Sequence, residues 1–455
     1  MKRMMFMCTA LCMAMAANAQ DGAVRLSLDS CRHLAIAGNK ELQMAGKKQE
    51  TAYYERKAAA TNYLPRVNAT AAYLHSSKEL SLLSDGQKTA LSGLDEQLHG
   101  LGSQLVDALH TDTRNMGMVA TMLTQPLYMG GKIRAYDHIT RFTEQIARSQ
   151  HTLALQEVIV EVDEAYWQVV ALQARKALAE SFVMHVARLD NDVRQMIAEG
   201  MATQADGLSV RVKLNEAKVA QIQVENGLQL SKMKLCQVCG LALDTEIELT
   251  DDLPQEAGTL NPSAALDVET AFSHRPELEQ LGLAADICRQ KTRITRSAYM
   301  PKVALTGGYA ATNPSVFNSF ERKMKGMWNV GVAVEVPVVT FGERIYKTRA
   351  ARAEEVLARM EVDETSEKVE LQVNQCRKRL QEANERLEVA RKSREEADEN
   401  LRYATLGVKE GVIPVSNVLE AQTAWLSAHL QGVTARIDVR LATLYLGKAK
   451  GLIAE

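Results

Sequence analysis

The chain carries one succession of motifs twice, and this duplication constrains the fold more than any other feature. The triplet Tyr63–Pro65 returns as Tyr299–Pro301, at an offset of 236 residues. Further along, Pro126–Gly131 matches Pro337–Gly342, with proline on proline and glycine on glycine, at an offset of 211. Such internal similarity predicts two copies of one structural plan rather than a series of unrelated domains.

The two copies are expected to occupy residues 20–260 and 261–455, each with a helix, two strands and a long helical hairpin. Because the offset falls from 236 to 211, the first copy holds 25 extra residues, which lie within 75–115. Leucines recur through that segment, and their spacing favours a short amphipathic helix inside a loop.

The first 19 residues have the pattern of a secretory signal peptide. Lys2 and Arg3 form a basic start, an apolar run follows from 4 to 16, and Ala17 and Ala19 give the small-x-small cleavage pattern. A membrane anchor is the alternative, but the apolar run is shorter than the roughly 20 residues that cross a bilayer. Export is therefore expected, with the mature chain beginning at Gln20.

Each copy continues with about 65 residues that contain no proline, over 134–199 and 345–410. A continuous helix of that length would reach roughly 100 Å. Apolar residues recur every seventh position, which favours left-handed supercoiling of paired helices. In the first copy this seam reads Val158, Ala165, Leu172, Ala179, Val186 and Val193, and in the second copy Val369, Cys376, Ala383, Ala390, Ala397 and Ala404.

A tight turn follows each long segment. Gly200 and Gly411 stand where a helix would end, a position that favours glycine. A second apolar seam begins soon afterwards, so each copy is predicted to form a hairpin of two antiparallel helices. The residues able to cap the returning helices are Thr203, Asp206, Ser416 and Asn417.

Candidate strands precede the long helices. The clearest has Val330, Val332 and Val334 alternating with small or charged residues, a period of two that fits one lipid face and one lumen face. Four such strands per chain are too few for a closed barrel, which needs about eight or more. The expected fold is therefore mainly α with a small β part, whose strands join a barrel shared between chains.

Composition and motifs exclude several functions. The 54 basic residues nearly balance the 56 acidic ones and form no basic patch, so no nucleic-acid partner is expected. The histidines are dispersed, and no nucleophile or phosphate-loop motif occurs, so we expect neither an enzyme nor a metal or cofactor site. Cys236 and Cys239 are consistent either with packing in a helical core or with a bond or metal site.

Together these features resemble the TolC family of outer-membrane efflux proteins. The similarity extends over the mature chain and includes the doubled entries Asn39–Leu42 and Arg275–Leu278 as well as the motifs above. It implies a homotrimer with a twelve-stranded barrel in the outer membrane and a tunnel of helices in the periplasm. The function implied is a passive exit duct for a tripartite efflux or type I secretion system, joined to a periplasmic adaptor (a membrane fusion protein) and an inner-membrane pump.

The resemblance also assigns site residues. The periplasmic gate, or constriction, is expected at Asn417 and Glu420, which match acidic positions of the family, and Asp206 offers a further carboxylate from the first copy. The alternative is that Asp206 and Asn417 only cap helices and that Glu420 is solvated. The tyrosine and arginine that latch related gates are replaced by Val408 and Ile413, so no latch is assigned. The surface expected to dock the adaptor comprises Gly200, Met201, Ala202, Gly411, Val412 and Ile413.

Five residues are expected to mark the junctions between strand and helix, because proline ends ladder pairing and glycine permits the turn. They are Pro126, Gly130, Gly131, Pro337 and Gly342. A periplasmic coiled-coil scaffold or adaptor protein is the alternative function. The alternating valines and the doubled Pro…Gly segments favour the channel instead.

Overall fold

The computed structural model describes residues 24–77, 80, 81, 83–93, 101, 104, 106, 110, 111, 114–253, 266–315 and 323–453. The predicted leader and much of the predicted helix within 75–115 lie outside these residues. The elements of the first half are β1 (Val24–Leu26), α1 (Leu28–Gly38), α2 (Lys40–Ala60), β2 (Arg66–His75), β3 (Leu80–Ser81), α3 (Asp85–Gly93), β4 (His110–Thr111), β5 (Asn115–Met129), α4 (Lys132–Ala198), α5 (Gln204–Cys239) and β6 (Ile247–Leu249).

The second half repeats the main elements of the first. Its helices and strands are α6 (Leu266–His274), α7 (Pro276–Ser297), β7 (Lys302–Asn313), β8 (Lys325–Glu335), α8 (Glu343–Lys409) and α9 (Val415–Lys450). The long helices α4 and α8 both contain 67 residues, and the returning helices α5 and α9 both contain 36. Of the helices that the structure describes, none has an apolar stretch long enough to cross a membrane.

Contacts divide the chain into two compact units. The helical unit comprises Met1–Glu50, Ile146–Leu281 and Glu361–Glu455. The sheet unit comprises Thr51–Gln145 and Gly282–Met360. Each unit therefore draws on both halves of the duplicated sequence.

In the sheet unit, four antiparallel strands pair in the order β2-β5-β7-β8. The register gives the two faces different chemistry, because alternate residues point to opposite sides. One face carries the exposed side chains of Val67, Tyr73, Val119, Tyr309, Trp328, Val330, Val332 and Val334. The other face carries several methionines together with Arg66, Asn68, Thr70, Thr124, Lys302, Thr306, Asn329 and Glu335.

In the helical unit, the seven-residue seams form the core. All twelve seam positions predicted in α4 and α8 are buried, from Val158 to Val193 and from Val369 to Ala404. The ends of both hairpins share one cluster, in which Val193 and Val210 of the first hairpin pack with Val415 and Val418 of the second. The pattern read from the sequence thus identifies the buried face of each long helix.

Two features differ from the sequence expectation. The short parallel pair of β1 with β6 was not predicted, since three-residue strands carry almost no periodic signal. Pairing was expected to end at Pro126, yet β5 continues to Met129. The ladder absorbs the proline through a register shift between Pro126 and Tyr128, where it pairs with β7 near Ala304.

Candidate functional site

The first hairpin tip is a compact turn built around Gly200. This residue has a φ of 78°, and its N–H donates to the Ile197 carbonyl over 3.1 Å, while the Met201 N–H donates to the Met196 carbonyl over 2.8 Å. This pair of bonds satisfies the last carbonyls of α4 and ends the helix. The Met201 side chain is 60% exposed, whereas Ala202 is half-buried against the hairpin core.

The second tip repeats this geometry. Gly411 has a φ of 69°, and the Val412 N–H donates to the Gly407 carbonyl over 2.8 Å. The Val412 side chain is 77% exposed, but Ile413 folds back towards Gly407 and joins the hairpin core. Of the six predicted docking residues, Met201 and Val412 therefore present the exposed apolar side chains.

The structure places Asp206 in the first turn of α5. The Asp206 backbone N–H donates to Thr203 Oγ1 over 3.2 Å, and Asp206 Oδ2 accepts from the Thr203 backbone N–H and hydroxyl over 3.0 Å and 2.6 Å. These bonds form a capping box and lower the pKa of the Asp206 carboxyl. The carboxylate is consequently engaged with its own helix terminus.

Asn417 and Glu420 lie in the corresponding turns of α9, and both are exposed. Here Pro414 occupies the capping position and makes no side-chain bond, so neither of the predicted caps, Ser416 and Asn417, caps this helix. Among the described residues, no hydrogen bond or ion pair joins Asp206 to Asn417 or Glu420. The structure brings the two tips into one hydrophobic cluster without joining these polar groups directly.

The predicted junction residues lie around the ends of β5 and β8. Gly130 and Gly131 have φ values of 62° and 85° just before α4, and Gly342 has a φ of 86° just before α8. A Cβ on Gly130 would lie 2.7 Å from the Ser297 carbonyl oxygen, so this site requires glycine for space as well as for conformation. Pro337 follows the end of β8 at Glu335.

One polar cluster near the tips was missed by sequence reasoning. The Trp425 indole N–H and His429 Nε2 both contact Asp398 Oδ1, at 2.6 Å and 2.9 Å, and the ring of His185 meets the Trp425 ring edge-on at 5.3 Å. Burial, with a smaller effect of Arg188, lowers the pKa of His185. The four-residue spacing of Trp425 and His429 indicates a shared helix face, but their partners are distant in sequence.

The two cysteines of the Cys-x-x-Cys pair have different hydrogen-bond partners. Cys236 and Cys239 are both buried, and their thiols donate to the carbonyls of Thr245 and Cys31, each over 3.7 Å. Within the described residues, no group of three or more histidine, cysteine or acidic side chains is arranged to hold a metal ion.

A model of the outer membrane efflux protein family matches residues 31–241 and 268–452. The chain belongs to this family. Outer membrane protein TolC of Vibrio cholerae is 22% identical over 334 residues, which cover 73% of this chain and 76% of that protein. Alkaline protease secretion protein AprF of Pseudomonas aeruginosa is 22% identical over 370 residues, covering 79% and 70%.

The fold agrees with family membership. The crystal structure of outer membrane protein VceC from Vibrio cholerae matches with a TM-score of 0.76 at 17% identity, covering 93% of this chain and 96% of that one. The resemblance inferred from the motifs and the predicted fold class are therefore confirmed. As a family member, this protein is an outer-membrane channel subunit with a periplasmic helical extension.

Proposed function

We propose that three copies of this chain form one passive duct, in which β8 of each copy pairs with β2 of the next. The observation that carries this proposal is the exposed valine row Val330, Val332 and Val334 on a strand at the edge of the sheet. Unpaired backbone groups are not tolerated in lipid, so edge strands there must find partners. With four strands from each of three copies, closed rotational symmetry gives a barrel of twelve strands.

The oligomer is tested by native mass spectrometry of the protein released from membranes in detergent. The proposal expects a complex of three chains. A preparation that is monomeric in every detergent that preserves its circular dichroism would contradict it, and so would a complex of two chains.

The hairpin tips are proposed to dock a periplasmic adaptor that links the duct to an inner-membrane pump. Met201 and Val412 support this, because they place one exposed apolar side chain at the end of each hairpin. A photo-crosslinking residue at position 201 or 412 should capture a co-expressed adaptor. The same probe at Met184, which is exposed on α4 before the tip, serves as the control; equal capture at all three positions would argue against tip docking.

Glu420 is proposed as the main charge of the gate, with Asp206 contributing less. Glu420 is exposed, whereas the Asp206 carboxylate is committed to the cap of α5. Three copies of an exposed carboxylate around one axis would favour cations. We further infer that Asn417, which carries no charge, contributes hydrogen bonding at the same level.

The gate is tested by reversal potentials in planar bilayers under a salt gradient. Glu420→Gln should reduce cation preference clearly, and Asp206→Asn should reduce it less. Glu388→Gln is the matched control, since this exposed carboxylate on α8 lies about 30 Å along the helix from the tip, beyond the Debye length of ~8 Å. Unchanged selectivity in Glu420→Gln would remove this residue from the gate.

A further inference from the structure

Two cysteines that are far apart in sequence meet inside the helical unit. Cys31 lies on α1 and Cys239 on the last turn of α5, and their side chains are 0% and 2% exposed. The Cys239 thiol donates to the Cys31 carbonyl over 3.7 Å. Interaction with the Cys239 thiol, together with burial, raises the pKa of Cys31, and interaction with Cys31 lowers the pKa of Cys239 against the opposing effect of burial.

The neighbouring cysteine is oriented differently. Cys236 precedes Cys239 by one helical turn, and its thiol donates to the Thr245 carbonyl in the segment after α5. The two thiols of the Cys-x-x-Cys pair therefore donate to different carbonyls. Of the two, Cys239 is the one directed at Cys31.

In both copies, the end of the returning helix packs closely against the end of the copy's first helix. A Cβ on Gly240 would lie 3.1 Å from the backbone of Gly38, and a Cβ on Gly451 would lie 2.5 Å from that of His274. These four residues are equivalent at the offsets of 236 and 211. The same offsets place Asp267 and Lys450, residues of opposite charge, at the positions of Cys31 and Cys239.

We propose that Cys31 and Cys239 are joined by a disulfide in the exported protein. The periplasm favours such bonds, and the Cys239 thiol already contacts the backbone of Cys31 in the buried interior of the helical unit. The bond would covalently tie α1 to the end of the first hairpin, whereas the second copy has no cysteine at either equivalent position.

Bond formation requires an oxidant, which we assign to the class of protein disulfides of periplasmic thiol oxidases. In the folding chain, before burial, the Cys239 thiolate attacks a sulfur of that disulfide and releases a thiolate. The Cys31 thiolate then attacks Cys239 Sγ and releases the second thiolate. The two cysteines lose two protons and two electrons, and the oxidant disulfide becomes a dithiol.

Peptide mapping tests this proposal on the full-length protein. Membranes are quenched in acid, free thiols are alkylated with N-ethylmaleimide, and the protein is digested without reduction. Since trypsin does not cleave between Arg275 and Pro276, it leaves Cys236, Cys239 and Cys288 on one peptide, and the wild type is therefore compared with Cys236→Ser and Cys239→Ser. The wild type and Cys236→Ser should yield the peptide of Cys31 linked to that of Cys239, and Cys239→Ser should yield alkylated Cys31.

Alkylated Cys31 in the unreduced wild type would overturn the proposal, as would a link that persists in Cys239→Ser or that joins two chains. If Cys239→Ser does not accumulate, fragmentation of the wild-type linked peptide on both sides of Cys239, which separates it from Cys236 and from Cys288, makes the same assignment. As a second expected result, reduction should lower the midpoint temperature of thermal unfolding of the wild type. It should not lower that of Cys31→Ser.

Discussion

The indole N–H of Trp425 donates to Asp398 Oδ1 over 2.6 Å, and this bond joins the two helices of the second hairpin close to its tip. His429 contacts the same oxygen, and the Trp425 ring also meets His185 of the first hairpin. Asp398 therefore connects a contact within one hairpin to a contact between hairpins.

Removal of this acceptor should destabilise the hairpin ends. Asp398→Ala leaves the Trp425 N–H without its acceptor, and Trp425 is only 9% exposed. We therefore expect the free energy of unfolding to fall by about 1–3 kcal/mol. Thermal unfolding followed by helical circular dichroism measures it. Glu396→Ala, an exposed acid on the same helix, is the control; an equal loss in both variants would show that the bond to Trp425 is unimportant.

The capping box of the first hairpin should matter more than the corresponding residues of the second. Thr203→Ala should cost about 1 kcal/mol, because it removes the acceptor for the Asp206 N–H. Ser416→Ala should have almost no effect, since Pro414 occupies that cap and makes no side-chain bond. Chemical denaturation of the two variants side by side compares the tips directly.

Acid should weaken the same cap. The pKa of Asp206 is lowered in the folded state, so its contribution is fully present above the unfolded pKa of about 3.9 and is lost as the pH falls below it through the folded pKa. Asp206→Asn should therefore flatten the fall in stability below about pH 4. If wild type and variant lose stability in parallel there, the carboxylate does not stabilise the cap.

Two glycines with similar backbone angles should respond very differently to alanine. Gly411 has a φ of 69° in open space, so Gly411→Ala should cost only the strain of a left-handed residue, about 1–2 kcal/mol. Gly451 has a φ of 76°, but its new Cβ would lie 2.5 Å from the His274 carbonyl oxygen. A larger loss in Gly451→Ala is expected, and equal losses would mean that the close approach is readily relaxed.

Substitutions that change the side-chain volume at a buried seam position should destabilise the hairpins. Val193 is fully buried, so Val193→Ala should cost about 2 kcal/mol through lost burial and a cavity. Its counterpart in the second copy is Ala404, also buried. Ala404→Val should cost roughly 1–3 kcal/mol by overpacking, and denaturation midpoints should fall for both variants.

Much of the fold follows from periodicity in the sequence. A seven-residue repeat sustained over six positions predicts the buried face of α4 and α8, and every one of those positions is buried. The glycines Gly200 and Gly411 locate the tips because few other residues adopt a positive φ readily. These signals are local or regular, which is why one sequence suffices to read them.

The remainder depends on contacts between distant segments. The pairing of β1 with β6 joins residues more than 200 positions apart through three-residue strands. The contact of Trp425 with Asp398 requires the register of a hairpin, and that of Cys31 with Cys239 requires the position of α1. The choice of Thr203 rather than Ser416 as a cap depends on one proline, Pro414, whose ring replaces the capping side chain.

Single-channel recording of the detergent-purified oligomer in planar bilayers tests most directly whether this chain is a channel subunit. The proposed barrel shared between chains predicts discrete conductance steps that scale with salt concentration. Bilayers that remain non-conducting after the intact oligomer has been inserted would contradict the assignment of this chain as a channel subunit.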